Sequence, residues 1–206
     1  ADVSLLADRS GAPCLWDALP DLLGQKPYQV HRLDKPTSGA LAIALDLQTQ
    51  KRLTRAFAAR QVGKFYLAWV VGDPGRAGRI DLPLKKGRKS RYRVAGPRAE
   101  IIEQDGHWRL ASPDPDGHPS ETRFRRLAQK DGRSLLLLMP KTGRTHQLRV
   151  HLAWIGYPIL GDQLYGKPRA AEQQAVRLCL HAHKLVLPGF GAFRAPLSPD
   201  WFEQPH

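Results

Sequence analysis

His31, Arg32, Asp34 and Lys35 fall close together in the stretch HRLDKPTSG, residues 31–39, which runs directly into the apolar segment ALAIAL at 40–45. A carboxylate set among basic side chains is suited to act in its ionised form, as a nucleophile or base rather than as an acid. Pro36 fixes one backbone dihedral and Gly39 permits an unusual one, so the residues after Asp34 read as a rigid turn at a strand end. Such a turn is a good mount for a catalytic group. The same residues also suit a purely structural role, with Asp34 capping the turn at Thr37 and Ser38. The histidines give a weaker signal. His146 and His151 stand five positions apart, about 140° around a helix, whereas zinc ligation from one helix face uses i and i+4. His181 and His183 share a strand face with no third ligand nearby in sequence, which argues against a metallohydrolase or nuclease.

Positioning such groups takes regular elements, and the chain shows them in alternation. LWDALPDLL at 15–23 reads as a short amphipathic helix interrupted at Pro20, and ALAIAL as a fully buried strand. Leu53, Ala56 and Phe57 recur at helical spacing between Gln48 and Gln61, predicting a helix with its basic face outward. Phe65 to Val71 alternates as a strand, with Tyr66, Ala68 and Val70 on the side opposite Phe65, Leu67, Trp69 and Val71. Leu135–Met139 and Arg177–Leu187 are two further strands. Turn signals in DGHW and PDPDG make Arg98–Ser120 an inserted hairpin plus loop, too short to own a core. THQLRVHLAWIG at 145–156 reads as a helix with Thr145 as N-cap, Leu148, Leu152 and Ile155 on one face, and Gly156 beyond its end. The irregular mixture predicts an α+β fold built on one mixed, mostly antiparallel β-sheet with flanking helices.

The chain has 206 residues, enough for a substantial core, with 32 Lys and Arg against 19 Asp and Glu and a net charge of +13. An excess of that size favours a polyanionic partner. It is concentrated: nine basic residues and one acid lie between Arg76 and Arg98, and five basic residues and one acid between Arg123 and Arg133. Tyr92 and Phe124 lie within these tracts, and basic groups with interleaved aromatic rings suit phosphates and stacked bases. No apolar stretch approaches the ~20 residues of a membrane helix. Cys14 and Cys179 sit far apart in apolar settings and read as buried free thiols, which fits a reducing cytoplasm.

HRLDKPTSG resembles the HRLDxxTSG signature of the RluA-type pseudouridine synthases. KFYLAWVVG at 64–72 is similar to that family's KxYxAxVxG stretch, and GRTHQLRVHLAWIGYPILGDQLYG at 143–166 to its longest motif. RLCLHAHKLVL at 177–187 resembles the closing segment, and APLSPDW at 195–201 the usual tail. The motifs occur in family order from about Tyr28 to Trp201. The resemblance implies a pseudouridine synthase-like catalytic domain over residues 1–206 that isomerises uridines in ribosomal or transfer RNA stem-loops without metal, nucleotide or flavin. It makes Asp34 the catalytic carboxylate, Tyr66 the ring against a flipped uracil, Arg149 the cation paired with the aspartate, Arg32 the residue filling the gap in the RNA, and Leu180 a pocket wall. The chain departs from the family pattern at its start, which suggests that an upstream segment is missing. No S4-like domain is expected before the signature, and the 98–120 insert exceeds the usual spacing. A monomer is expected. A non-catalytic RNA-binding module is the alternative, although binding alone gives no reason for a carboxylate in a basic groove, where it repels phosphate.

Overall fold

A computed structural model describes residues 5, 14–88, 91–166, 175, 177–197 and 201. Lys89 of the first basic tract and residues 198–200 of the closing tail lie outside the described residues. The chain forms two compact units, one of Ala1–Lys64 with Ala182–Pro196 and one of Phe65–His181 with Leu197–His206.

In the first unit, helix α1 (Leu15–Leu23) runs through Pro20 instead of breaking there, and Gly24 closes it in the left-handed conformation at φ 66°. Short strands β1 (Tyr28–Gln29) and β3 (Ile43–Ala44) pair antiparallel. The expected buried strand at 40–45 shrinks to β3, with Ala44 alone fully buried. The reason lies in the hydrogen bonds before it: Ala40 N–H donates to the Ala182 carbonyl and Ala42 N–H to a His31 ring nitrogen, so neither joins a ladder with β1. Helix α2 (Leu47–Ala58) starts where the Asp46 side chain accepts from Thr49 N–H at 2.7 Å. It buries Leu53 and Ala56 and leaves Lys51, Arg52 and Arg55 exposed, as its spacing predicts. Its buried face packs with Val62, Leu185 and Leu187 in a small core of its own.

The second unit carries most of the sheet. Strand β4 (Gly63–Val71) buries consecutive residues Leu67 to Val70, so both of its predicted faces are covered. The hydrogen-bonded order there is β4, β11 (Arg133–Pro140), β10 (Glu121–Lys130), β5 (Ala77–Asp81), β9 (His107–Leu110) and β8 (Ile101–Gln104). Every pair in that run is antiparallel except β5 with β9, which is parallel. Strands β6 (Leu84–Lys86) and β7 (Tyr92–Val94) form a separate antiparallel ribbon. The last strands are β12 (Leu180–Leu187) and β13 (Gly191–Arg194), which pair antiparallel over residues that belong to the first unit. The fold is α+β, a mixed and mostly antiparallel sheet flanked by helices.

Three further details differ from the sequence reading. The 98–120 segment forms the predicted hairpin, β8–β9, and its Trp108 and Leu110 enter the main core, where Trp108 meets Phe124 with ring centroids 5.7 Å apart. Phe124 is 2% exposed, so it stacks on core neighbours rather than on bases. Alternation along β10 explains this, because Thr122 and Phe124 point inward and Arg123 and Arg125 outward. Helix α3 (Gln147–Trp154) is N-capped by His146, in the left-handed conformation at φ 55° and without a side-chain cap bond, rather than by Thr145.

Candidate active site

The Asp34 turn in the first unit is closed by Thr37 N–H donating to the Asp34 carbonyl at 2.8 Å. Asp34 is half-buried at this turn, with Arg32 and Lys35 exposed on either side. Two further contacts hold the loop that carries it. Gly39 has φ +117°, and a Cβ at that position would lie 2.3 Å from the Ala182 carbonyl oxygen, so only glycine lets β2 (Ser38–Gly39) approach β12. His31 accepts from Ala42 N–H through Nε2 at 2.8 Å and stacks on Phe57 with centroids 4.6 Å apart. Burial, with the nearby charge of Lys64, pushes the His31 pKa down to about 4. The ring is therefore neutral at physiological pH, as the acceptor role of Nε2 requires. It is a tie across the loop rather than one more cation beside Asp34. Burial and the neighbouring Arg60 in turn bring the Lys64 ammonium down to about 8.

Helix α3 in the second unit breaks the usual pattern of an amphipathic surface helix. Every residue from Gln147 to Ala153 is buried, including Gln147, Arg149 and His151. Each polar side chain has partners, as burial demands. Gln147 accepts from Thr142 Oγ1 at 2.6 Å and from Arg144 N–H at 3.0 Å, and donates to the Glu121 carbonyl at 2.9 Å. His151 uses both ring nitrogens, with Thr122 Oγ1 at 3.0 Å and the Leu82 carbonyl at 2.9 Å, and full burial lowers its pKa to about 4. These bonds give His151 a structural task and remove the basis for reading it as a metal ligand.

Arg149 donates a two-pronged pair of bonds to Asp162, Nε to Oδ2 at 2.9 Å and Nη2 to Oδ1 at 2.7 Å. Both side chains are nearly inaccessible, at 6% and 1% exposure. Asp162 also accepts from the backbone N–H groups of Leu164 and Tyr165 at 2.9 and 3.1 Å. The guanidinium lies 5.2 Å from the centre of the Tyr165 ring. The Tyr165 hydroxyl meets His146 Nδ1 at 2.7 Å and accepts from Tyr92 N–H at 2.9 Å. Arg98 donates to the Ala153 carbonyl and lies over Trp154, placing a cation where the helix dipole favours one.

The structure thus divides the residues singled out in the sequence. Arg32 and Asp34 share one loop of the first unit. Leu180, 3% exposed, belongs to the main core of the second unit, and Tyr66 and Tyr165 pack against that same core. Asp162, Tyr165 and Gln147 were not picked out by residue type, and His31 and His146 were noted for their charge and spacing rather than for the contacts they make here. Their one available signal was their place inside the quoted motifs, because partners 13 or 19 residues apart leave no periodic trace.

The family model for RNA pseudouridylate synthases matches residues 17–154, a span that includes the Asp34 turn and helix α3. The chain belongs to this family. It is 37% identical over 174 residues to the dual-specificity RNA pseudouridine synthase RluA of Escherichia coli K12, covering 81% of this chain and 72% of that protein. It is 40% identical over 180 residues to an uncharacterized RNA pseudouridine synthase of Chloroflexus aurantiacus, covering 85% of this chain. The alignment takes in 51% of that relative, so the chain spans about half its length. Among solved structures, human RNA pseudouridylate synthase domain containing 4 superposes with a TM-score of 0.78 at 26% identity, over 98% of this chain and 84% of that one. The same human family's domain containing 1 gives 0.74 at 28%, over 96% and 76%. The two neutral histidines set a pH window for stability. Their folded pKa values near 4 lie below the ordinary 6.5, so the unfolded chain binds more protons between those values. Stability is full above pH 6.5 and falls as pH drops toward 4, by up to about 3 kcal/mol for each ring. Denaturant unfolding at pH 7 and pH 5 is expected to show this loss, and His31→Gln to remove part of the pH dependence; a flat profile in the wild type would contradict it.

Proposed function

We propose that this chain converts uridine to pseudouridine in structured RNA, ribosomal, transfer or both, with Asp34 as the essential carboxylate. The observation that supports the reading most is the family match over 17–154, which takes in both the rigid Asp34 turn and the buried Arg149 helix. The reaction breaks the bond from uracil N1 to the ribose C1′, turns the base, and joins C5 to C1′. The C5 hydrogen leaves to solvent and N1 gains one. Atoms and electrons balance within the nucleotide, so the reading calls for no cofactor. The base must leave its stack first, at a cost of a few kcal/mol that is least in loops. In this proposal Asp34 attacks or abstracts, Tyr66 presents its ring to the uracil, Leu180 walls the pocket, Arg149 supplies a fixed positive charge, and Arg32 fills the gap in the RNA. A cytoplasmic site of action and a monomeric enzyme go with it.

The basic tracts offer unequal support for RNA binding. Arg79 pairs with Asp81 and Glu121, Arg123 with Glu121, Lys85 with Asp114, and Arg126 with Asp73. Arg76, Lys86, Arg88, Arg91, Arg93 and Arg125 are exposed and make no ion pair among the described residues. Phosphate affinity in this reading rests on the second group. Neutralising Lys86, Arg88 and Arg91 together is expected to flatten the dependence of log K on log salt by about 2–3, with Lys85→Ala alone changing it less. An unchanged slope would place the RNA elsewhere.

The reaction itself is tested by release of tritium from RNA labelled at uridine C5. Wild type is expected to release it, and Asp34→Asn, which keeps the shape and removes the charge, to release none at matched RNA binding. Substantial release by Asp34→Asn would refute the carboxylate's role. Binding without release by the wild type on any RNA from its own cell would favour a non-catalytic RNA-binding module.

A further inference from the structure

In the first unit, α2 and the β12–β13 hairpin carry charge of one sign. Residues 47–64 hold five cations, Lys51, Arg52, Arg55, Arg60 and Lys64, and residues 182–196 hold Lys184 and Arg194, with no acid in either stretch. Asp46, the acid next to α2 in sequence, caps the helix by accepting from Thr49 N–H. Lys51, Arg52 and Arg55 are exposed and make no ion pair among the described residues. Helix and hairpin are in contact: Leu53 and Ala56 share the small core with Leu185 and Leu187, and the Arg52 guanidinium lies 4.7 Å from the centre of the Phe190 ring at the hairpin tip. Gly189 permits that approach, because a Cβ there would lie 3.1 Å from Arg52 Nη2. Arg55 is about 60° round the helix from Arg52, on the same side. Phe193 completes the surface. It is 50% exposed, and its register partner is Leu185, so it stands on the sheet face that α2 covers, since paired side chains share a face. Arg194 pairs with Lys184 and points to the opposite face. Phe57, on the inner side of α2, stacks on His31, and Arg55 is about 160° round the helix from it. The cations therefore stand on the side of α2 turned away from the loop that carries His31 and Asp34.

We propose that this surface binds an unpaired strand of the RNA substrate, apart from the uridine that reacts. A base stacks on Phe193, and Arg52, Arg55 and Lys51 take phosphates on either side of it. Each part of the surface fits that occupant. Cations unmatched by acids favour a polyanion, and an exposed ring beside them can be covered by a base only where base faces are open, as in a single strand and not within a duplex. Phe190 holds Arg52 against its own ring, which fixes a cation at the edge of the stacking surface. Stacking and phosphate contacts read no base edge, so the sequence of the strand is immaterial to this surface. Its consequence for target choice is that a stem-loop with an unpaired flank is held better than the same stem-loop without one. That RNA is the polyanion rests on the function proposed above.

The test is fluorescence anisotropy of the full chain with a labelled oligoadenylate of about 12 nucleotides, which offers the reaction no uridine and so reports binding apart from turnover. Phe193→Leu keeps an apolar side chain beside Leu185 and loses the ring. It is expected to weaken binding by about tenfold with the salt dependence unchanged, and Phe193→Tyr to keep the affinity. Arg52→Gln combined with Arg55→Gln is expected instead to lower the slope of log K against log salt by about 1–1.5. Arg194→Gln removes one charge next to Phe193 in sequence but on the other face of the sheet, and is expected to change affinity by less than about twofold. The proposal is overturned by unchanged affinity in Phe193→Leu, by a loss in Arg194→Gln as large as in Arg52→Gln alone, or by polyglutamate displacing the oligoadenylate as well as unlabelled RNA does. Tritium release measured on the same preparation keeps this proposal separate from the reaction. Release with no effect of Phe193→Leu on binding removes the surface alone, and Phe193-dependent binding without release keeps the surface while removing the enzyme.

Discussion

The buried ion pair between Arg149 and Asp162 is the interaction around which the second unit is arranged. Taking two charges out of water costs several kcal/mol per ion, and mutual attraction offsets that only with good geometry and with the remaining hydrogen-bonding capacity filled. Both conditions are met. The guanidinium gives two parallel bonds, and Asp162 is completed by the backbone N–H groups of Leu164 and Tyr165. Apolar residues of similar volume would serve stability as well, so the pair is best understood as a means of holding a cation in one orientation. The rest of α3 meets the same requirement, since Gln147 and His151 are buried only because Thr142, Thr122, Glu121 and Leu82 satisfy them. A helix of this kind gives up the solvated face that ordinarily makes a helix cheap to fold, and what it gains is a rigid arginine.

The first unit reaches the same end with neutral parts. Asp34 sits on a loop drawn closed at both sides, by the close approach of Gly39 to Ala182 and by the bond from Ala42 to His31. Electrostatics matters here through what is avoided: a protonated His31 could not accept from Ala42, and burial keeps the ring neutral. Rigidity at the carboxylate and rigidity at the arginine are two local solutions, and the reaction proposed for them is one in which small misplacements are costly.

Much of this was legible in the sequence, and the limits follow from range. Helices α1 and α2 and strands β4 and β11 appear within a few residues of where spacing puts them, because their buried faces are local patterns. ALAIAL misled because an apolar run does not say which backbone groups will pair, and Ala40 and Ala42 found partners far along the chain. Helix α3 was found, but its one-faced reading failed: composition does not reveal that its polar residues are buried and satisfied. Asp34 stood out by its setting among cations, whereas Asp162 had no such mark in the sequence. The 98–120 segment read as an appendage because its own apolar residues are few, yet Trp108 and Leu110 are core members.

The account stands or falls on Asp34 acting as the carboxylate of an RNA-modifying isomerase. The most direct measurement is a map of pseudouridine across the ribosomal and transfer RNA of the source cell, with the gene present, deleted, and restored as wild type or as Asp34→Asn at equal protein level. The account predicts that one or a few positions lose the modification on deletion, regain it with the wild type and do not regain it with the variant. A map unchanged by deletion, or fully restored by Asp34→Asn, would contradict it.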